Sequence, residues 1–521
     1  KRRGLALAVY GLLLFLTWGG FQSIPKDFIP IQDKQYLIAF AQLPPGATLD
    51  RTEEVIREMS DLALQHPGVQ DSIAFPGLSI NGFTNSNNEG IVFVGLTDFD
   101  QRHDSALGGM AIAEQLQQMY FGMDEAFVSI FPPPPVNGLG TIGGFRLQIQ
   151  DRNNQGYDAL NAVIMEVLMK AWSTPELAGV FSSYQINTPQ LVAELDRDRA
   201  VQLGLAMPDV FSTMQIYLGS SYVNDFNLFG RTYQVIAQAD SAYRDTADDI
   251  RRLQVRNTDG AMVQLGAVVD VRESYGPSSA VRYNGFRAGD INGGPAPGYS
   301  SGQAKDAIER ILAETLPPGF AYEWTELSYQ EELAGNTALL IFPLCLLLVY
   351  MVLAAQYESL ALPMAVIMIM PLSAIAAFAG IWLVGDTINI FTQISLFVLL
   401  GLASKNAILI VEFARELEHQ GMETLAAAKE AARLRLRPIL MTSLAFIMGV
   451  LPMVMSTGAG AEMRNIMGLA VFSGMIGVTV FGLVLTPVFY VVLRRLEQRL
   501  QRGLRRADRH SGDNAVTEVL S

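Results

Sequence analysis

Cysteine occurs once in 521 residues, at Cys345, which excludes an intramolecular disulfide and a thiolate zinc cluster. Lying inside an apolar run, it reads as a small lipid- or core-facing side chain. Histidine is nearly as scarce: His66, His103, His419 and His510 are scattered without the spacing of metal ligands. No Ser/His/Asp set or metal-ligand motif marks a membrane-embedded hydrolase. Charged residues make up only 17% of the chain, and a formal net charge of -14 lacks the basic field that phosphates require, which argues against a nucleic-acid partner.

Apolar residues, by contrast, make up 50% of the chain and concentrate near the start and in residues 336–493, where a soluble protein would spread them. The candidate membrane spans are residues 5–21, 337–355, 362–384, 390–412, 439–456 and 467–493, each near the ~20 residues needed to cross hydrocarbon. Pro487 leaves the ends of the last one open. Lys1, Arg2 and Arg3 before an apolar run resemble a signal peptide. The run is long, however, and no small-residue cleavage site precedes Trp18-Gly19-Gly20, so a retained span is expected. The absence of an initiating Met implies that residues precede Lys1.

Positive charge sets the orientation. Lys1, Arg2 and Arg3, then Lys429, Arg433, Arg435 and Arg437, then Arg494, Arg495 and Arg499 all fall on one side when crossings are counted, and that side is cytoplasmic. Residues 22–335 therefore face outward. The connection 414–437 reads as an amphipathic interfacial helix holding Leu417, Leu425 and Ala428 against the membrane.

The outward region is long enough for several domains, and its pattern is of βαββαβ type. Strands are expected at 36–43, 71–75, 90–96, 127–131 and 145–150, with helices at 50–65, 106–119 and 157–171. Asp50 is expected to cap the first helix with Glu53 three residues on. A short echo between the turns at Pro45-Gly46 and Pro297-Gly298 and the helices after them argues for duplicated modules. Within 189–273 the character changes: a helix at 209–217, a loop at 219–229, a strand at 231–238 and a hairpin turning at Asp259-Gly260 are expected. Tyr222 to Phe226 is either plain turn chemistry or a contact loop.

Lys405 sits inside an apolar span, where a charge is expensive and usually functional. Snorkelling is strained, because the expected cytoplasmic end lies about seven residues, or ~10 Å, away. No carboxylate lies within the spans near it, and a buried lysine without a partner should lose its proton or its place, so the acids must come from another segment. Glu412 shares its face but lies too far along the axis for direct pairing.

The run 401–414 (Gly-Leu-Ala-Ser-Lys-Asn-Ala-Ile-Leu-Ile-Val-Glu-Phe-Ala) and the run 435–446 (Arg-Leu-Arg-Pro-Ile-Leu-Met-Thr-Ser-Leu-Ala-Phe) resemble the C-terminal half of the resistance-nodulation-division (RND) transporters, in their hydrophobe/amphiphile multidrug efflux branch. Ser220, Tyr222 to Phe226, Gly293, Pro295 to Gly298, Tyr322 to Trp324 and Ser328 to Glu331 are similar to the family's outward domain. The resemblance runs from Lys1 to about Arg495. It implies a polytopic α-helical membrane protein, six spans forming the second half of a twelve-span fold, with a large α+β periplasmic domain of porter subdomains and a docking subdomain. The expected division is 1–22 first span, 23–146 porter subdomain, 147–188 and 273–335 second porter subdomain, 189–272 docking subdomain, 336–413 three spans, 414–437 linker helix, 438–494 two spans and 495–521 cytoplasmic tail.

The resemblance also implies a proton/drug antiporter, not an enzyme, with no cofactor, in the inner membrane of a two-membraned bacterium. Its partners would be a homotrimeric assembly, a periplasmic adaptor, an outer-membrane channel and an N-terminal half whose aspartates pair with Lys405. Asn406 is a polar neighbour or a helix contact. Thr442 matches the relay hydroxyl, although it could equally bond its own helix backbone, and Ser443 could share the role. Arg435 resembles an arginine at the cytoplasmic mouth. Residues 82–90 occupy the place of a flexible loop dividing two pockets, with one phenylalanine, Phe83, where two are usual. Phe93, Phe127, Ile130 and Phe131 match apolar pocket positions suited to amphiphilic small molecules. Acting alone, the chain should not couple protons to transport. Metal-ion export by a related branch is the alternative within transport, but segments 75–96 and 127–136 lack the methionines it would use. A structural or receptor-like membrane protein would not explain Lys405.

Overall fold

The computed structural model describes residues 3–335 and 337–519, with the side chains beyond 499 left aside. Lys1, Arg2, Asn336 and the side chain of His510 lie outside the described residues. The chain divides into two units, residues 1–183 with 282–521, and residues 184–281.

The first unit opens with an apolar helix, α1 (Arg3–Ser23). A first round of α+β structure follows: β1 (Tyr36–Gln42), α2 (Leu49–Leu64), β2 (Val69–Leu78), β3 (Asn85–Leu96), α3 (Gly109–Tyr120) and β4 (Phe127–Phe131). The antiparallel sheet has the order β2-β3-β1-β4. In α2, Thr52, Val55, Ile56, Met59 and Ala63 recur at helical spacing and are buried. Its cap is Thr48, not the expected Asp50. Gly46, at φ 88, ends the preceding turn early enough to leave Thr48 extended, and its side chain accepts from the Arg51 N–H. Asp50 then lies in the first turn, where its charge suits the helix dipole.

Strand alternation divides this sheet cleanly. Leu37, Ala39 and Ala41 of β1, Val92 and Val94 of β3, and Val128 and Ile130 of β4 pack in the core shared with α2 and α3. Ile38 and Phe40, with Ile91 and Phe93, and with Phe131, occupy the opposite face.

The second round comprises β5 (Phe145–Asp151), α4 (Tyr157–Trp172) and β6 (Leu177–Phe181). The second unit then intervenes with β7 (Thr188–Leu195), α5 (Arg197–Gln202), α6 (Met207–Met214), β8 (Ser221–Leu228), β9 (Arg231–Ala237), α7 (Ala247–Arg252), β10 (Gln254–Arg256), β11 (Met262–Gln264) and β12 (Val269–Gly276). Antiparallel β7 and β12 close that unit from Thr188↔Gly276 to Leu195↔Val269. Residues 219–229, expected as a loop, instead supply β8. Phe229 and Gly230, both at positive φ, make the two-residue turn whose twist matches a hairpin, and Phe226 stacks on Tyr233 at 5.5 Å. Polar Asn224, Asp225 and Asn227 disguise the strand because the hairpin is exposed throughout.

The chain returns through β13 (Arg282–Tyr283), β14 (Phe286–Pro295), α8 (Ser301–Thr315), β15 (Phe320–Trp324) and α9 (Glu326–Ala334). The second sheet has the order β13-β14-β5-β15, with β6 also on β14. Thr48 before α2 and Ser300 before α8 are both N-caps. Since α2 is the first helix of its round and α8 the second, the sequence echo reports shared turn-and-cap chemistry and not equivalent positions.

The remaining helices are α10 (Thr337–Tyr357), α11 (Leu362–Ile367), α12 (Met370–Val384), α13 (Ile390–His419), α14 (Thr424–Val454) and α15 (Ala461–Val519). With α1 they provide six stretches long and apolar enough to cross a membrane. The third is broken between α11 and α12, where Pro371 lacks an N–H and its ring crowds the carbonyl four residues back. No separate linker helix forms over 414–437: residues 414–419 continue α13, a turn follows, and 424–437 lead straight into α14 through Pro438. Ala428 and Leu417 pack against the helical core, and only Leu425 of the three is exposed.

Candidate functional site

Helix α13 continues past the expected 412 to His419, so Lys405 has fourteen residues of helix after it, ~21 Å at 1.5 Å per residue. Ile394, Val398, Gly401 and Lys405 recur at helical spacing on one exposed face. Among the described residues Lys405 has no ion-pair partner, and Glu412 is exposed and does not reach it.

One residue further, Asn406 is buried and its Nδ2 donates to Ser443 Oγ of α14 at 3.2 Å. Ser443 is buried as well. This bond fixes α13 against α14 and leaves Lys405 and Thr442, their immediate neighbours, on the exposed rim of the seam. Thr442 Oγ1 donates to Ile439 O of its own helix at 3.1 Å, a bond that leaves its acceptor lone pairs unused. Met441, Leu444 and Met448 of α14 are exposed beside it. Arg435 lies about two turns away, its guanidinium 4.3 Å over the Phe413 ring, and its buried Nε has no hydrogen-bond partner among the described residues. The structure thus gathers Asn406 and Ser443, with Lys405 and Thr442 flanking them, and places Arg435 apart.

The aromatic residues gather elsewhere. Phe93, Phe127 and Phe131 stand on the sheet face turned away from α2 and α3, and Phe40 joins them, 6.1 Å from both Phe127 and Phe131. Phe181 of β6 closes over Phe40 at 4.5 Å, bringing the second sheet against the first. Phe75 meets Phe93 edge to face at 5.8 Å. Ile130 does not belong to this set: a period of two turns it to the opposite face, inside the core under the helices. Nor is 82–90 a loop. Only 79–84 turns, closed by Ser79 N–H to Thr84 O at 2.8 Å, while β3 already starts at Asn85. Phe83 sits in that turn at φ 53, half exposed. Sequence reasoning missed Phe40, Phe75 and Phe181. The alternation Leu37-Ile38-Ala39-Phe40 carried the signal for the first, and nothing local marked Phe181.

A polar nook adjoins this face. Arg146 Nη1 donates to Glu326 Oε1 at 2.5 Å, the guanidinium also reaches Asn81 Oδ1, and Asp290 lies 4.0 Å away. Asn81 Nδ2 donates to Ser183 Oγ at 2.9 Å, and Ser183 to Asp290 at 2.7 Å. Nearby, burial pushes the Glu89 carboxyl up from its ordinary pKa; a Ser79 hydrogen bond opposes that and the Asp290 charge adds to it. A raised folded-state pKa contributes stability that is complete below the unfolded-state value and lost as pH rises through the folded one. Glu89→Gln, which keeps an acceptor for Ser79, should therefore raise the thermal midpoint above neutral pH. Melting curves at acid and alkaline pH check this, the gain vanishing in acid.

The family model described as the AcrB/AcrD/AcrF family matches residues 1–494. The chain is 38% identical over 493 residues to the multidrug/solvent efflux pump membrane transporter MepB of Pseudomonas putida, covering 94% of this chain and 46% of that protein. It is 36% identical to the multidrug export protein AcrF of Escherichia coli K12, covering 94% and 48%. Against the solvent-resistant pump membrane transporter SrpB of Pseudomonas putida it is 36% identical, covering 100% and 49%. The chain thus spans about half the length of the curated relatives it matches.

Proposed function

The chain belongs to the AcrB/AcrD/AcrF family, and on that premise we propose that it is the second half of a proton-driven exporter of amphiphilic compounds. One observation carries this reading: a lysine midway along an apolar span, on an exposed apolar face, beside exposed Thr442 and a buried Asn406–Ser443 clamp. A lone cation at that depth is stable only against carboxylates from elsewhere, in this reading from the half of the transporter that precedes Lys1. Protonating such a carboxylate weakens the attraction and releases α13 and α14 to move, a two-state element biased by charge. Thr442 relays the proton, and Arg435 stands toward the cytoplasmic mouth.

Positive charge from Lys429 to Arg437 and at Arg494 and Arg495 supports a cytoplasmic position for that end, and with it a periplasmic α+β region on an inner-membrane protein. The aromatic face of Phe93, Phe127 and Phe131, with Phe40 and Phe181, lines the substrate path, and Phe83 stands at its edge. Apolar walls with few polar fixtures suit varied amphiphiles, in keeping with the multidrug and solvent pumps among the relatives. Homotrimeric assembly with an adaptor and an outer-membrane channel completes the route, residues 189–272 docking toward the channel.

Efflux of a fluorescent amphiphilic cation from cells making the complete protein tests the energy source. Collapsing the proton gradient with an uncoupler should stop efflux while ATP is maintained. Efflux that survives the uncoupler and stops on ATP depletion would overturn the reading.

A further inference from the structure

The start of the last span touches the first α+β round. Glu462 lies in the first turn of α15, and its Oε1 accepts the backbone N–H of Asp33 at 3.2 Å. Asp33 is itself immobilised. Its carboxylate takes both terminal nitrogens of Arg102, at 2.6 and 3.2 Å, and the backbone N–H groups of Gln35 and Gly109 at 3.0 and 2.9 Å. The Arg102 side chain is only 2% exposed, bonds Thr97 O and Leu107 O, and lies 4.9 Å over the Phe99 ring, which in turn borders Gly458 in the turn before α15.

Asp33 stands three residues before β1, an interior strand of the sheet that carries Ile38 and Phe40. At its other end the connection runs into helices that cannot slide freely. Ser395 Oγ of α13, which donates to Phe391 O of its own helix at 2.8 Å, also lies within hydrogen-bond reach of Met467 O of α15 at 3.3 Å, and a Cβ at Gly474 would fall 2.3 Å from Leu399. A Cβ at Gly477 would fall 2.2 Å from that of Ala376 in α12. Helices this close shift as packed bodies. Displacement of α13 is therefore passed to α15, and Glu462 holds the only side chain of that helix bonded to Asp33 among the described residues. The second carboxylate oxygen of Glu462 is buried without a partner there, a cost that an incidental surface contact would not carry.

We propose that Glu462 is a positioning residue for transport, gripping Asp33 so that movement of the membrane helices is delivered to β1 and the aromatic face. This rests on the proton-driven reading above. The test uses the complete protein in liposomes, with rhodamine 6G as the transported amphiphile and a pH-sensitive dye reporting protons. Glu462→Ala should bind rhodamine 6G with unchanged Kd but move about fivefold less of it per proton, the lower bound of ordinary coupling effects. Glu462→Gln keeps the acceptor oxygen and should restore coupling. If Glu462→Ala folds poorly, Glu462→Asp carries the test: it keeps the charge, withdraws the oxygen by one methylene, and should show the same loss. Normal dye moved per proton in the Ala or Asp variant, or a Gln variant no better than Ala, overturns the proposal. Failure of the underlying reading is separate: there the unaltered protein would show no dye-dependent proton movement.

Discussion

Replacing Lys405 by alanine in the complete protein should bring drug accumulation to the level of cells without the pump, with the protein present in the membrane in normal amount. The expectation follows from the place of Lys405 on α13, midway along an apolar helix and exposed among Ile394, Val398 and Gly401. In the proposed reading that cation pairs with carboxylates of the transporter's other half, and removing one member of such a pair strands the other. The stranded carboxylates would hold their protons across the cycle, and the charge-driven switch would stay in one state. Arginine at the same position should not restore export, because its planar fork cannot reproduce a compact ammonium between helices. Accumulation of a fluorescent amphiphile, with immunoblots for protein level, measures this. Unchanged export at normal protein level would remove Lys405 from the mechanism.

The second large effect is on stability. Arg102→Ala should destabilise the first α+β round by about 3–5 kcal/mol, the range for breaking a buried ion pair by removing one partner. Arg102 and Asp33 are 2% and 15% exposed, and the guanidinium also satisfies two backbone carbonyls, so the substitution orphans several groups together. Burial works to raise the Asp33 pKa, but the Arg102 bonds, with those from Gln35 and Gly109, overcome it and hold the carboxyl below its ordinary value. Stability gained from a lowered pKa is present above the unfolded-state value and lost as pH falls through the folded one. The deficit of Arg102→Ala should therefore be full at neutral pH and shrink in acid, as thermal melts across that range would record. A constant deficit at all pH values would mean that packing against Phe99, and not the ion pair, is what was lost.

Much of this architecture is legible in the chain because its signals are local. Long apolar runs mark the six crossings, and a lysine inside one of them is conspicuous without any structure. The strand at 127–131 and the helix from 157 emerge from short-range periodicity alone. What escapes is set by partners distant in sequence. Ile130 and Phe131 look alike as apolar residues, and only pairing with β1 decides which faces the helices. Strand β8 has no buried face, so alternation of apolar and polar residues never announces it, although its partner β9 falls where a strand is expected at 231–238. The stretch 414–437 is amphipathic for a different reason than supposed: Ala428 and Ala431 face the helical core. The Asn406–Ser443 bond and the Glu462–Asp33 bond join residues 37 and 429 positions apart, where no spacing rule reaches.

The pairing of Lys405 is the point on which the rest depends. A structure of the complete transporter, with the N-terminal half proposed to pair with this chain, measures it directly. The predicted result is a carboxylate from that half within ion-pair distance, about 4 Å, of Lys405 Nζ, with Thr442 facing the same space. A Lys405 side chain that instead faces lipid, with no carboxylate near it in any state of the transport cycle, would contradict it.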